Sequence, residues 1–176
     1  KRIDDDVLRL IYTCCHPALS EEAQVALTLK IIAGLSTNDL ALAFLTPVRT
    51  MEQRLARAKK KIREAGIPFA IPAERDLPDR LDAVLATLYL IFNQGYSARK
   101  DSVADPRTCE EAIWLTRLVR RLNPSHDETA GLLALMLLQH ARHPARVEKD
   151  TLIALDQQDR SLWRTDLLTE GTTLIK

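Results

Sequence analysis

The chain is poor in glycine and in aromatic residues. Of its 176 residues only 5 are glycines, and aromatic side chains make up 5%. Leucine and alanine, which favour helices, are abundant. The composition therefore predicts an all-α fold. Hydrophobic residues at 46% and charged residues at 28% are typical of a globular protein with a substantial core.

The chain also lacks the cysteines of a disulfide scaffold and any long apolar run. Three cysteines cannot all pair, and so low a number favours a reducing, cytoplasmic location. The longest apolar stretch, Ala83–Phe92, is well short of the roughly 20 residues that span a bilayer. The given residues hold no stretch that we expect to act as a signal peptide, and the chain opens on Lys1-Arg2 without a methionine. This start predicts a fragment of a longer protein.

Positive charge is concentrated in one short stretch. The whole chain carries a net charge of +1. Residues 49–63 contain seven basic residues and one acidic residue, a net of +6, so the remainder of the chain carries −5. The basic residues are Arg49, Arg54, Arg57, Lys59, Lys60, Lys61 and Arg63. Such an excess indicates either an anionic partner or a solvated basic helix face.

Capping signals divide residues 1–66 into four helices. The first is expected to end before Pro17, and Ser20 is predicted to cap the second, which should reach Gly34. Ser36, with an acidic residue three positions later, predicts the start of the third. Thr46, followed by a proline, is predicted to cap a fourth helix over 47–65, which a glycine at position 66 ends.

Three prolines at positions 68, 72 and 78 predict an extended linker over residues 67–78. We expect this linker to separate a domain of residues 1–66 from a helical domain of residues 79–176. In the second domain the apolar patterns predict helices over 80–94 and 106–122. Ser125 is predicted to cap a further helix, and a strand-like piece near 151–155 precedes a last helix from about residue 160.

The third and fourth helices match a helix-turn-helix, the motif that places its second helix in the major groove of DNA. The apolar residues of the fourth helix recur at intervals of four, three and four, which predicts a narrow inner stripe. They are Met51, Leu55, Ala58 and Ile62. Arg49 and Gln53 lie one turn apart on the opposite face, where they fit bidentate bonds to guanine and adenine.

The remaining basic residues of the fourth helix are predicted to contact phosphates, which give affinity without sequence information. These are Arg54, Arg57, Lys60 and Lys61. The complete set of residues predicted to bind DNA is Thr46, Arg49, Thr50, Gln53, Arg54, Arg57, Lys60 and Lys61.

These residues resemble a known family. The range Glu21–Ile62 is similar to region 4 of an extracytoplasmic-function (ECF) RNA polymerase sigma factor, through ALTL at 26–29, GLSTNDLA at 34–41 and TMEQRLARAK at 50–59. Glu52 stands where the family usually has a basic residue and Gln53 where it has serine, so promoter preference is expected to differ. Leu45 stands where many helix-turn-helix units carry glycine.

Three other motifs resemble an ECF subgroup with a long helical C-terminal extension. They are LIYTCCHPAL at 10–19, LYLIFNQGYS at 88–97 and DQQDRSLW at 156–163. The resemblance implies that the basic helix reads the minus-35 promoter element and that region 4 docks on the β-flap of core RNA polymerase. It also implies a sigma region 2 before Lys1 and helical repeats after Lys176, so that this fragment alone should not start transcription.

The resemblance implies neither an enzyme nor a cofactor or metal. The extension, with the negative charge outside the basic helix, is a possible intramolecular regulator that occludes that helix. A second hypothesis is a helical interaction module whose basic helix binds an acidic protein partner.

A third hypothesis is a helical enzyme. Cys14, Cys15 and His16 are the strongest candidates for a reactive thiol or a metal site, but three adjacent residues do not converge on one point. Two buried cysteines beside a helix end are the simpler interpretation. His140 and His143, three residues apart, are a weaker ligand pair. Residues 93–96 are read either as a pocket lining or as a helix end on which Tyr96 packs back.

Overall fold

The computed structural model describes residues 2–96, 106–148 and 151–176, with side chains from residue 5 onward. The predicted all-α fold is confirmed, since helices make up most of these ranges. The helices are α1 (Arg2–Cys14), α2 (Glu21–Ile31), α3 (Thr37–Ala43), α4 (Val48–Glu64), α5 (Leu77–Tyr96), α6 (Pro106–Leu122), α7 (Asp127–His140), α8 (His143–Arg146) and α9 (Thr165–Leu174).

Short elements complete the fold. Strands β1 (Val147–Glu148) and β2 (Thr151–Leu152) form an antiparallel hairpin, in which Val147 pairs with Leu152. This confirms the strand-like start of residues 151–155. Turns of 3-10 helix lie at Glu74–Asp76, Leu155–Gln157 and Arg160–Leu162. In the described ranges, every helix is too short or too polar to cross a lipid bilayer.

The chain forms two compact units, one ending at Ile91 and the other beginning at Phe92. The division falls inside α5, so the first part of this helix belongs to the unit that holds α1–α4. In that unit Arg80 donates a hydrogen bond to the backbone carbonyl of Tyr12, and Thr13 Oγ1 donates to the carbonyl of Pro68 at 3.2 Å. The domain boundary over 67–78 stays a prediction.

Local side-chain bonds start and end the helices of the first unit. Ser20 Oγ accepts the Ala23 N–H at 3.4 Å, and Ser36 and Asp39 form the predicted capping box. Gly34 and Gly66 adopt left-handed φ values of +72° and +60° just past α2 and α4. These positions confirm the predicted helix ends, because glycine has no Cβ to clash in that conformation.

Two predicted caps are wrong by one residue. Pro47, not Thr46, occupies the N-cap of α4, and it is extended with φ −59° and ψ 144°. His126, not Ser125, caps α7, since its Nδ1 accepts the Thr129 N–H at 3.3 Å. A histidine ring nitrogen accepts this bond as a serine hydroxyl would. The usual preference for serine at the N-cap therefore pointed to Ser125 instead of His126.

The second unit is built around α7, which packs against α6 and α9. Gly171 permits the close approach of α9, because a Cβ there would lie 3.0 Å from Leu138 Cγ and 3.4 Å from the Ala134 carbonyl oxygen. Arg117 on α6 forms a bidentate pair with Glu170 on α9, with distances of 2.8 and 2.6 Å. Planar donors of this kind fix the relative orientation of two helices.

Candidate nucleic-acid interface

A tight turn joins α3 to α4. Leu45 adopts a left-handed φ of 51°, the conformation in which many helix-turn-helix units have glycine. The Thr46 N–H then donates to the Ala41 carbonyl at 2.9 Å, which closes the turn. Leu45 itself is 78% exposed. The turn geometry predicted from the sequence is therefore present, with an unusual residue at its centre.

The inner face of α4 holds the helix on the rest of the unit. Met51, Leu55 and Ala58 are buried, and Ile62 is half-buried. Both α2 and α3 pack against α4. The predicted stripe is confirmed. Because one side of α4 is fixed in this way, its other side has a defined orientation.

The outer face of α4 is exposed and basic. Arg49, Gln53, Arg57, Lys60 and Lys61 are all exposed, as predicted. Two of these basic side chains make only weak local contacts. Arg57 Nε donates to the Gln53 carbonyl at 3.3 Å, and Lys60 Nζ lies 3.5 Å from Glu64, where both side chains are more than 60% exposed. Pairs of this kind contribute little stability, so these side chains are available to a ligand.

Thr46 and Thr50 are less accessible than the other predicted residues. Both are half-buried. The Thr46 hydroxyl oxygen is fully buried and has no hydrogen-bond partner within the described ranges. A buried hydroxyl of this kind is not accessible to DNA, so any contact from Thr46 would involve other atoms of the residue. That Thr46 binds DNA stays a prediction.

Arg54 is less exposed than the other basic residues of α4. Its side chain is only 21% exposed, and Nη2 lies 2.9 Å from Glu22 Oε2. Its guanidinium carbon is 5.7 Å from the centre of the Phe44 ring. Arg54 therefore lies on the side of α4 that faces α2 and α3, apart from the exposed bases.

The Cys14-Cys15-His16 segment has no reactive thiol. Burial raises the pKa of Cys14 to about 12 and that of Cys15 to about 11, so both stay protonated near neutral pH. Cys15 Sγ lies 3.6 Å from Thr28 Oγ1 inside the core. The simpler interpretation, two buried cysteines, is confirmed.

Gln24 organises the loop after those cysteines, and the sequence analysis missed it. Its Nε2 donates to the carbonyls of His16 and Leu19 at 3.1 and 3.0 Å, and its Oε1 accepts from Thr87 Oγ1 at 3.1 Å. It is only 5% exposed. The signal was present, because a polar amide inside the apolar run of α2 must find partners when buried.

The two histidines near the end of α7 do not form a metal site in the described residues. His140 Nε2 lies 3.5 Å from Glu110 Oε1, and its ring stacks with that of His143 at 5.7 Å between centres. No third ligand joins them among the described residues. Burial lowers the pKa of both rings. Their arrangement is that of a packed, mainly neutral pair.

Tyr96, at the end of α5, packs back as expected. Its ring stacks on Phe92 at 5.6 Å. Arg142 Nη2 donates to its hydroxyl at 2.9 Å, and Arg146 Nη1 donates to its carbonyl at 2.6 Å. The adjoining cavity has room for about one water molecule. Ser97, the last residue of the predicted motif, lies outside the described residues.

The helix-turn-helix and its exposed basic helix define a DNA-binding domain, and comparison with known families places it in a class. The family model described as Sigma-70, region 4 matches residues 9–62, and the model described as Family of unknown function (DUF6596) matches residues 80–176. The chain therefore belongs to the DUF6596 family, and its N-terminal part is a sigma-70 region 4 domain. The resemblance to sigma factors is confirmed.

One relative is similar to the chain over almost its whole length. The chain is 45% identical over 173 residues to a protein of Rhizobium meliloti (strain 1021) named Uncharacterized protein R00370. The alignment covers 97% of this chain and 41% of that protein, so the chain spans less than half of its relative's length. No solved structure is significantly similar to the chain. Region 4 is a class of DNA-binding transcription factor modules and not of enzymes.

Proposed function

We propose that the chain is part of an ECF-like sigma factor whose α4 reads the minus-35 element of promoter DNA. The observation that carries the proposal is the pair Arg49 and Gln53, exposed one turn apart near the start of a helix whose other face is packed. A helix held in this way can enter the major groove, where Arg and Gln discriminate bases. The exposed Arg57, Lys60 and Lys61 would contact the phosphates.

The experiment is a titration of duplex DNA with the chain at several salt concentrations. With about three to five phosphates contacted, the logarithm of the binding constant should fall with the logarithm of salt at a slope of about −3 to −4. Lys60→Ala should weaken binding to every duplex and reduce the slope by about 1. Arg75→Ala is the control, because Arg75 is exposed and lies outside the motif, and it should change neither quantity. Binding that does not depend on salt would contradict the proposal.

Docking on the β-flap of core RNA polymerase belongs to the same proposal. It is supported by the match of residues 9–62 to Sigma-70, region 4. Pull-down of core polymerase by the chain, with and without competing promoter duplex, separates it from the alternative, a module that binds an acidic protein only. Retention of polymerase together with duplex is the expected result, and capture of neither would contradict it.

We further propose that residues 79–176 regulate access to α4. The support is the resemblance to sigma factors with a helical C-terminal extension, since residues 79–176 themselves carry a net charge of only −1. A truncated chain ending after Tyr96 is the suitable variant, because it retains all of α5, whose Arg80 and Thr87 bond to Tyr12 and Gln24 within the first unit. Tighter DNA binding by this chain, with an unchanged thermal unfolding profile of its helices, is expected. Equal affinity would exclude masking.

A further inference from the structure

One side chain touches all three helices of the helix-turn-helix unit. Arg54, in the middle of α4, lies 2.9 Å from the carboxylate of Glu22 in the first turn of α2. The same guanidinium lies over the ring of Phe44, the C-terminal cap of α3. The spacing explains the position, because residue 54 is three residues after the buried Met51 and four before the buried Ala58.

We propose that Arg54 is a positioning residue that fixes the orientation of α4, rather than a phosphate contact. The proposal rests on the proposed function and deepens it. A guanidinium is planar and offers donors in a fixed fork, so it holds a carboxylate and an aromatic face in one geometry. Sequence reading requires that geometry, because a recognition side chain displaced by about 1 Å loses its bidentate bond.

Stability alone does not account for the arrangement. The Glu22 carboxylate is 67% exposed, and a pair open to solvent at one end contributes little to folding. The carboxylate also places a negative charge on a unit that is proposed to bind a polyanion. Glu22 therefore does not help the chain to attract DNA nonspecifically. Its role is to hold Arg54, and through Arg54 to fix the angle of α4.

The two roles of Arg54 make opposite predictions for DNA binding. A lost phosphate contact weakens binding to every duplex and lowers the salt slope by about 0.9. A lost positioning contact weakens binding to the selected duplex and leaves the salt slope on a scrambled duplex unchanged. Glu22→Gln is the sharpest variant, since removal of a negative charge should by simple electrostatics tighten binding to both duplexes.

The experiment measures the full chain on its selected duplex and on a scrambled one, with variants Glu22→Gln, Arg54→Lys, Arg54→Met and Lys60→Met. We expect about a tenfold or greater loss of discrimination for Glu22→Gln and for both Arg54 variants, since Lys keeps the charge but not the planar fork. Lys60→Met should instead lower affinity for both duplexes equally. Tighter binding by Glu22→Gln, or full function of Arg54→Lys, would overturn the positioning role.

A second measurement does not depend on DNA. If Glu22 and Arg54 hold each other, the loss of thermal stability in the double variant Glu22→Gln/Arg54→Met should be smaller than the sum of the single losses. Additive losses would overturn the proposal even if the chain binds DNA as proposed. Conversely, the pair could prove coupled in a chain whose DNA binding does not depend on salt. That result would contradict the proposed function, and with it the role of Glu22 and Arg54 in positioning α4 for sequence reading.

Discussion

At the scale of single residues, Leu45 holds a conformation that its side chain disfavours. A leucine at φ 51° crowds its Cβ against the backbone at a cost of roughly 1–2 kcal/mol, which glycine does not incur. The side chain returns little packing, because it is 78% exposed. The sequence identified the position from the usual glycine, but only the turn geometry shows that leucine adopts the same conformation.

Leu45→Gly should therefore stabilise the chain by about 0.5–1 kcal/mol, the relief of strain less the added freedom of the unfolded chain. Urea unfolding measures the change. Leu42→Gly is the matched control, because Leu42 is equally exposed, at 74%, but lies within α3. Glycine there should cost about 1 kcal/mol. A loss of stability at both positions would show that Leu45 is not left-handed.

His140 is buried, and its ionisation is expected to affect stability. Burial lowers its pKa below the ordinary value of 6.5, and the hydrogen bond from the ring to the Glu110 carboxylate opposes this only in part. Arg164 nearby also disfavours the charged ring. Near pH 6.5 the unfolded chain therefore takes up a proton before the folded chain does. Stability present above about pH 6.5 is lost as the pH falls towards the lowered pKa of the folded state.

Thermal unfolding between pH 7.5 and 5 checks this sign. The wild-type chain should lose stability over that range, and His140→Gln should lose less, because its side chain does not titrate. Only part of the dependence should disappear, since burial also lowers the pKa values of His16 and His143. An identical pH dependence in the variant would show that His140 does not carry the effect.

At the scale of elements, the helix limits set by local bonds were predictable and those set by tertiary contacts were not. Ser20, Ser36 and Gly66 act through backbone groups two to four residues away, so the sequence reveals them. Thr87, in the part of α5 that belongs to the first unit, bonds to Gln24, 63 residues distant in sequence. No local pattern contains that pairing.

Gln24→Met tests how far one buried amide supports the joint between α1, α2 and α5. Methionine fills a similar volume but leaves the carbonyls of His16 and Leu19 without their side-chain donor. We expect a loss of about 2 kcal/mol in the free energy of unfolding. The exposed Glu21→Gln in the same helix should stay within about 0.5 kcal/mol of wild type. A similarly small change for Gln24→Met would mean that water can replace the hydrogen bonds of the Gln24 amide.

At the scale of the whole molecule, composition predicted the fold class, and the charge distribution singled out α4 as the candidate interface. Apart from Arg54, the basic residues of the +6 stretch lie on the exposed side of α4, opposite its buried stripe, where water solvates their charges. Charge did not distinguish Arg54 from Lys60, since both count as +1 in sequence. Their difference arises from the packing of α2 and α3 on α4. This packing places Arg54 against Glu22 and leaves Lys60 in solvent.

Selection of bound sequences from random duplex DNA tests the central claim most directly. The chain should enrich one short motif, and Arg49→Ala should lose preference at a single position at a cost of about 1–3 kcal/mol, because one bidentate pair to a base is removed. Lys60→Ala should enrich the same motif with lower affinity throughout. If the wild-type chain enriches no sequence, or Arg49→Ala and Lys60→Ala change the selected motif alike, α4 does not read DNA as described.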